Sequence, residues 1–449
     1  MDVTPPSPRP LARRRLLTAG IGGLGVAGAA AAVTMASRRP AAAAGPADRG
    51  TITIGLVTPL TGPLAGFAAG DRFVAGTVRA TAAYARGFRA GGRTYRVSIV
   101  VADSRSDPNW AAQAARLLIM NQRADMILAT SAPETTNPVA DVCQSQGVPC
   151  LSTVVPWEAW YTSLGGNPAR PASGFQSSGV QYCAMFWFGL REYRGCFAPM
   201  WDRAQAGRDV ACLYPGDADG NLFRASFEPL IRQSGYTPVD GGGYLDGTAS
   251  YSPAISRFRS AGCGLLTAAP RPADFGTFWR QAAAQGFRPR LATVAKVLQL
   301  PAEAAALGPV ARNIATASWW GPSRPARSSL DGMTAGALAS AYQARSGQPW
   351  LQTLGSTYSL FEVAREAFTA VSDPHDRAAV AAALHKVSYT GMCGPLDFGS
   401  GPAPGVAVIK PVGAQWRAAG GRFPFELTVV DNSLDPAVPA ASGLELTGA

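Results

Sequence analysis

Seven cysteines, two histidines and one short acidic turn are the residues of this 449-residue chain whose types could carry chemistry. His375 and His385 fall on one predicted helical stretch, 375 to 387. On a helix that spacing separates them by about 15 Å and about 80° of rotation, so they cannot share a metal ion. They read as surface histidines. With no other histidine, neither a Ser-His-Asp hydrolase nor a histidine-based metal centre can be assembled. The lysines Lys296, Lys386 and Lys410 follow Ala295, His385 and Ile409, which excludes a Gly-Lys-Ser/Thr phosphate loop. There is no Gly-x-Ser-x-Gly elbow. Asp217 and Asp219 flank a turn, Pro215 to Asn221, and could serve carboxylate catalysis or turn geometry alone. Gly20-Ile21-Gly22-Gly23-Leu24-Gly25 matches a dinucleotide fingerprint but follows no strand, so it cannot cradle a phosphate. No cofactor and no metal are expected, and the chain does not read as an enzyme.

The N-terminus reads as an address. Arg13-Arg14-Arg15-Leu16-Leu17 precedes an uncharged Ala/Gly-rich stretch, 19–36, then Arg38-Arg39 and Ala41 to Ala44. This is the order of an export signal, here residues 1–44, and the R-R-x-L-L pattern is similar to the twin-arginine type. The alternative is a membrane anchor, for which the stretch is short and poor in large apolar residues. The same segment holds much of the net charge of +11, and the remaining chain has no basic stripe, so nucleic-acid binding is not expected. Export places the cysteines in an oxidising compartment. Cys143 with Cys150 and Cys183 with Cys196 are the candidate bridges, while Cys212 and Cys263 read as buried apolar residues.

Stepping along the mature chain, β-branched runs alternate with amphipathic ones. Strands are expected at 52–57, 95–101, 126–129 and 148–153, with helices at 71–86, 110–123 and 138–146 between them. After a Gly/Pro/Ser-rich stretch, 165–179, the pattern restarts: strands at 209–214, 236–239 and 263–268, helices at 222–234, 251–261 and 274–285. Such alternation predicts an α/β fold of two doubly wound parallel-sheet lobes around a hinged cleft. Ligands bind outside the carboxyl ends of such strands. Those positions are 64–67, 130–136, 153–160, 217–221, 270–272 and Lys296. A third portion, from 313, is less regular, and the tail after Asp431 is expected to fray.

Several segments in fixed order resemble a known family. They are Ile52 to Pro63 (ITIGLVTPLTGP), Ala102 to Pro108 (ADSRSDP), Thr136 to Cys143 (TNPVADVC), Gln146 to Pro149, Gly394 to Phe398 (GPLDF) and Gln415-Trp416-Arg417. From 51 to about 430 the chain resembles extracellular solute-binding proteins of the type I periplasmic-binding fold. The nearest group is the leucine/isoleucine/valine-binding kind that serves ABC importers. The resemblance implies lobe one at 51–175 plus 318–390, lobe two at 176–317 plus 391–430, and a tail at 431–449. It implies hinges near Gly174-Phe175-Gln176 and Ala317-Ser318, and a monomeric receptor that hands a small molecule to a permease. In such proteins the first lobe holds a carboxylate after its fourth and fifth strands. Those stretches match Ser131, Glu134 and Thr135, and Ser152 to Val155 with Thr153. An aromatic in the first loop, here Phe67, covers the ligand. Where the family often places an acid for an ammonium group, this chain has Lys296, which favours an anionic end.

Further wall candidates are Trp157 and Trp160, on one face of a helical turn, and Tyr358 at a helix start. Asp219 and Arg271 lie in strand-end loops, where they could meet ligand or only solvent. Lys296 could instead pair with Asp217 or Asp219. Trp319-Trp320 suits either core or hinge packing. The leading reading is an extracytoplasmic receptor for a small amphiphilic metabolite, amino-acid-like or another carboxylate. The alternatives are a sensing module, expected to continue into a membrane helix or signalling domain, and a carboxylate-based enzyme.

Overall fold

In the computed structural model of this protein, residues 50–172 and 179–447 are described, with 218 and 219 described by backbone alone. The first strands are β1 (Thr51–Thr58), β2 (Phe88–Ala90), β3 (Arg93–Asp103), β4 (Met126–Thr130), β5 (Cys150–Thr153) and β6 (Cys183–Phe186). The second set is β7 (Asp209–Leu213), β8 (Thr237–Asp240), β9 (Leu265–Ala268), β10 (Leu291–Val294) and β11 (Ala315–Ser318). The last are β12 (Ser388–Gly391), β13 (Gly394–Asp397), β14 (Val406–Ala407), β15 (Val412–Ala418) and β16 (Phe425–Asp431). They form two seven-stranded sheets, ordered β14-β6-β5-β4-β1-β3-β2 and β16-β15-β11-β10-β9-β7-β8, and a β12–β13 hairpin. The central pairs of both sheets are parallel. Helices cover both faces, so these strands are largely apolar; every residue of β4 and β9 is buried. Two doubly wound α/β lobes result.

Strand membership moves the expected boundaries. The first sheet takes in β6 and β14, beyond 176 and 391, so the chain crosses between lobes at 187–189, after Ser318, and at 408–411. The second crossing lies beside the expected Ala317-Ser318. Residues 174–176 lie outside the described residues. At the first crossing, Glu158 reaches from helix Trp157–Ser163 to accept a hydrogen bond from Leu190 N at 2.9 Å. A Cβ on Gly189 would run into Trp157 and Glu158, which explains a glycine there.

Other expectations change with packing. The tail is docked rather than frayed: Arg324 pairs with Asp435 at 2.7 Å, Val438 is buried, and Asn313 Nδ2 donates to Leu446 O at 3.0 Å. All seven cysteines are free and buried. Cys183 lies in lobe one with its Sγ on Ala140 O, whereas Cys196 sits on lobe-two helix Leu190–Ala204, so these two do not form the expected bridge. Cys143 and Cys150 are neighbours whose thiols share a hydrogen bond, with no disulfide between them. Nor is His385 on the surface: it is buried, and burial pushes its pKa down to about 4, against a hydrogen bond with the Cys183 backbone. His375 precedes the helix, which runs Arg377–Leu384, and its Nδ1 lies 2.9 Å from Asp125. Among the described residues no helix is long and apolar enough to cross a membrane, and no cluster of side chains could hold a metal.

Candidate functional site

The carboxyl ends of the two sheets face each other across a cleft. Phe67, Ala132, Pro133, Val154 and Pro156 line it from lobe one. Trp187 stands at the crossing, and Tyr193, Phe223, Ala295, Lys296 and Gln299 line it from lobe two. The cleft between these residues is narrow, about 40 Å³. A roomier hollow of about 340 Å³ lies on lobe two, around Trp279, Phe287, Val310 and Arg312. It is not at the junction of strand ends, and the site is placed in the cleft for that reason.

The walls are built by an aromatic chain that starts in the hinge. Trp187 stacks on Phe188 at 4.7 Å between ring centroids, Phe188 meets Tyr193 at 4.8 Å, and Tyr193 meets Phe223 at 5.9 Å. Phe223 opens a π-helical turn, Phe223–Phe227, inside the helical run from Ala218 to Gln233. Such turns recur at functional sites because they re-aim a side chain without ending the helix.

On lobe one, Ser131 and Ala132 both have positive φ, +77° and +67°, and lead into helix Pro133–Gln146. Proline at the first helical position suits the fixed φ and the missing N–H. Glu134 follows in the first turn. Across the cleft, Lys296 comes two residues after β10 with φ +64°, and its Nζ donates to Glu134 Oε1 at 3.0 Å. Burial would raise the Glu134 carboxyl. Lys296 beside it, its own backbone N–H and the more distant Arg271 together hold it below its usual range.

The expected site residues therefore divide. Phe67 and Lys296 line the cleft, and Glu134 joins Lys296 there. Ser131 is buried beneath the cleft, with Thr135 Oγ1 donating to its carbonyl. Thr153 turns its hydroxyl to Phe186 O at 2.8 Å, a neighbouring strand rather than the cleft. Trp157 packs on Gly189 at the crossing, and Trp160 is fully buried. Both brace the hinge side of lobe one instead of forming a ligand wall. Tyr358 is also fully buried, its hydroxyl 3.0 Å from Ser328 Oγ, so it belongs to the lobe-one core. Arg271 pairs with Asp246 at 2.9 Å and is half-exposed on the rim. The side chain of Asp219 lies outside the described residues. Trp187, Tyr193, Phe223 and Gln299 are lining residues that sequence reasoning missed.

Two lobes, three crossings and an aromatic cleft with one lysine define a binding protein that clasps a small solute. The profile of the periplasmic binding protein family matches residues 51–438, and the chain belongs to that family. No curated protein matches it in sequence. Among solved structures it is similar to the leucine-binding protein LivK of Thermotoga maritima, with 15% identity and a TM-score of 0.66 over 84% of this chain and 97% of that one. It is similar to a Rhodopseudomonas palustris solute-binding protein in complex with 4-hydroxybenzoate, with 15% identity and a TM-score of 0.65 over 84% and 96%. LivJ of Streptococcus pneumoniae in complex with isoleucine has 15% identity and a TM-score of 0.62 over 85% and 99%.

Proposed function

We propose that this protein is an extracytoplasmic, monomeric receptor that captures a small carboxylate with an apolar or aromatic body and delivers it to an ABC import permease. The observation that carries this is the make-up of the cleft: aromatic walls from Phe67, Trp187, Tyr193 and Phe223, with Lys296 among the described lining residues. Flat apolar walls suit a ring or branched chain, and a lysine there favours an anionic end. The N-terminal end of helix Pro133–Gln146, a partial positive charge, reaches the cleft through Ala132 and Pro133. Isoleucine and 4-hydroxybenzoate, held by two structural relatives, share this plan of one carboxylate on an apolar body. An amino acid's ammonium would compete with Lys296 for Glu134, so a carboxylate without an amine is the better fit. No catalytic role is assigned to the site.

Residues 1–44 are proposed to direct export by the twin-arginine route. Thermal shift of the purified protein against a metabolite library tests the binding role. Ligand binding raises the melting temperature by mass action without consuming the ligand. A library in which no carboxylate raises it would contradict the proposal.

A further inference from the structure

Among the described residues, the loop 295–300 of lobe two meets lobe one across the cleft at several points. Lys296 reaches Glu134. Gln299 O accepts from Gln352 Nε2 at 3.0 Å, and Gln352 Oε1 accepts from Trp319 N at 3.0 Å, which ties the loop to a hinge residue. Leu300 packs over Gly66 so closely that a Cβ there would press on it. The loop itself is braced within lobe two. Trp416 Nε1 donates to Leu298 O at 2.8 Å, and Glu303 Oε2 accepts from Gln299 N at 2.9 Å and Leu300 N at 3.3 Å. Lys296 and Leu298 hold φ +64° and +57°, left-handed values that non-glycine residues keep only when their surroundings over-determine them.

We propose that the loop 295–300 is the latch of the cleft, and that the Glu134–Lys296 pair is the contact by which it locks onto lobe one. The use of the latch rests on the solute-binding reading; its existence does not. Only 16% of the Lys296 side chain and 29% of the Glu134 side chain are exposed, so the pair is weakly screened. Removing Lys296 leaves the partly buried Glu134 carboxylate facing the cleft without that cation, and reversing either charge sets like charges against each other, which favours parting of the lobes. A latch of this kind makes a contribution to affinity that is the same for every ligand. Its loss through Glu134 raises dissociation rates for every ligand alike, while Lys296 stays in place to meet the ligand's anionic end.

Charge reversal tests it without any ligand. Glu134→Lys, Lys296→Glu and the double reversal are compared with wild type by small-angle scattering. Each single variant is expected to have a larger radius of gyration, and the double reversal to return to the wild-type radius. Single variants with the wild-type radius, or a double reversal as expanded as the singles, would overturn the latch. If a reversed variant does not fold, Glu134→Gln and Lys296→Met replace it: expansion in both supports the latch, and the wild-type radius in both refutes it. Because no ligand is used, failure here is distinct from failure to find a solute.

Discussion

The indole rings of Trp187 and Trp319 meet edge to face, with centroids 4.6 Å apart and planes at 67°, although the residues belong to two different crossings between the lobes. Trp187 follows β6 and Trp319 follows β11. One ring of this pair also lines the cleft. The hinge and the ligand wall therefore share a side chain, and a ligand that packs on Trp187 touches the element that must move when the lobes part.

Trp187→Ala is expected to lose about 3–5 kcal/mol of stability, the usual cost of emptying a large buried aromatic site. It should also lose most affinity for an aromatic solute. Urea denaturation reads the first effect. A loss below about 1 kcal/mol would show that the ring is not packed as described.

Lys296→Met separates direct recognition from the latch. If the lysine meets the ligand's carboxylate, the variant should bind it more than tenfold more weakly, about 1.4 kcal/mol. Its preference for the acid over the corresponding amide should disappear as well. Equal weakening of acid and amide would assign the whole effect to the lobe contact with Glu134.

Asp71 gives the protein a pH signature. It is fully buried, where burial raises its pKa to about 6 from 3.8, against hydrogen bonds donated by the Thr58 and Thr357 hydroxyls, the latter at 2.7 Å. The folded state binds this proton more tightly than the unfolded chain. The contribution is therefore complete below about pH 3.8 and is lost as pH rises through about 6. Its size is on the order of 3 kcal/mol. Asp71→Asn, whose amide both hydroxyls can still meet, should flatten this fall. Its melting temperature relative to wild type should be higher at pH 8 than at pH 4.5. A difference independent of pH would refute the assignment.

What was legible in the sequence was whatever depends on local pattern. β1 is a β-branched run and β4 an apolar one, each bounded by turns, and both lie nearly where expected. β6 was missed, because Cys183 to Phe188 is an apolar run with no alternation, which a buried strand shares with a buried helix. Losing that strand moved the first crossing and concealed Trp187 as a wall. The helix expected at 138–146 starts earlier: Pro133 takes the first helical position, and Pro138 lies inside the helix. Glu134 and Lys296 were each singled out, but not as partners. They lie 162 residues apart, and only the meeting of the lobes joins them. Thr153 shows the limit from the other side: a strand end indicates where a residue lies, not which neighbour its hydroxyl faces.

Export is tested by replacing Arg13 and Arg14 with lysine. The double variant is expected to accumulate inside the cell as precursor. Normal secretion would refute the twin-arginine route and leave the binding reading intact.

The central claim, that the interlobe cleft holds a carboxylate on an apolar body, is tested most directly by titration calorimetry. Aromatic and branched-chain carboxylates, each beside its own amide, are titrated into the purified protein. The account predicts saturable one-to-one binding of at least one acid, at least tenfold tighter than its amide. It also predicts a negative heat-capacity change as the walls around Trp187 and Phe223 are buried. No binding by any acid, or equal binding of acid and amide, would contradict it.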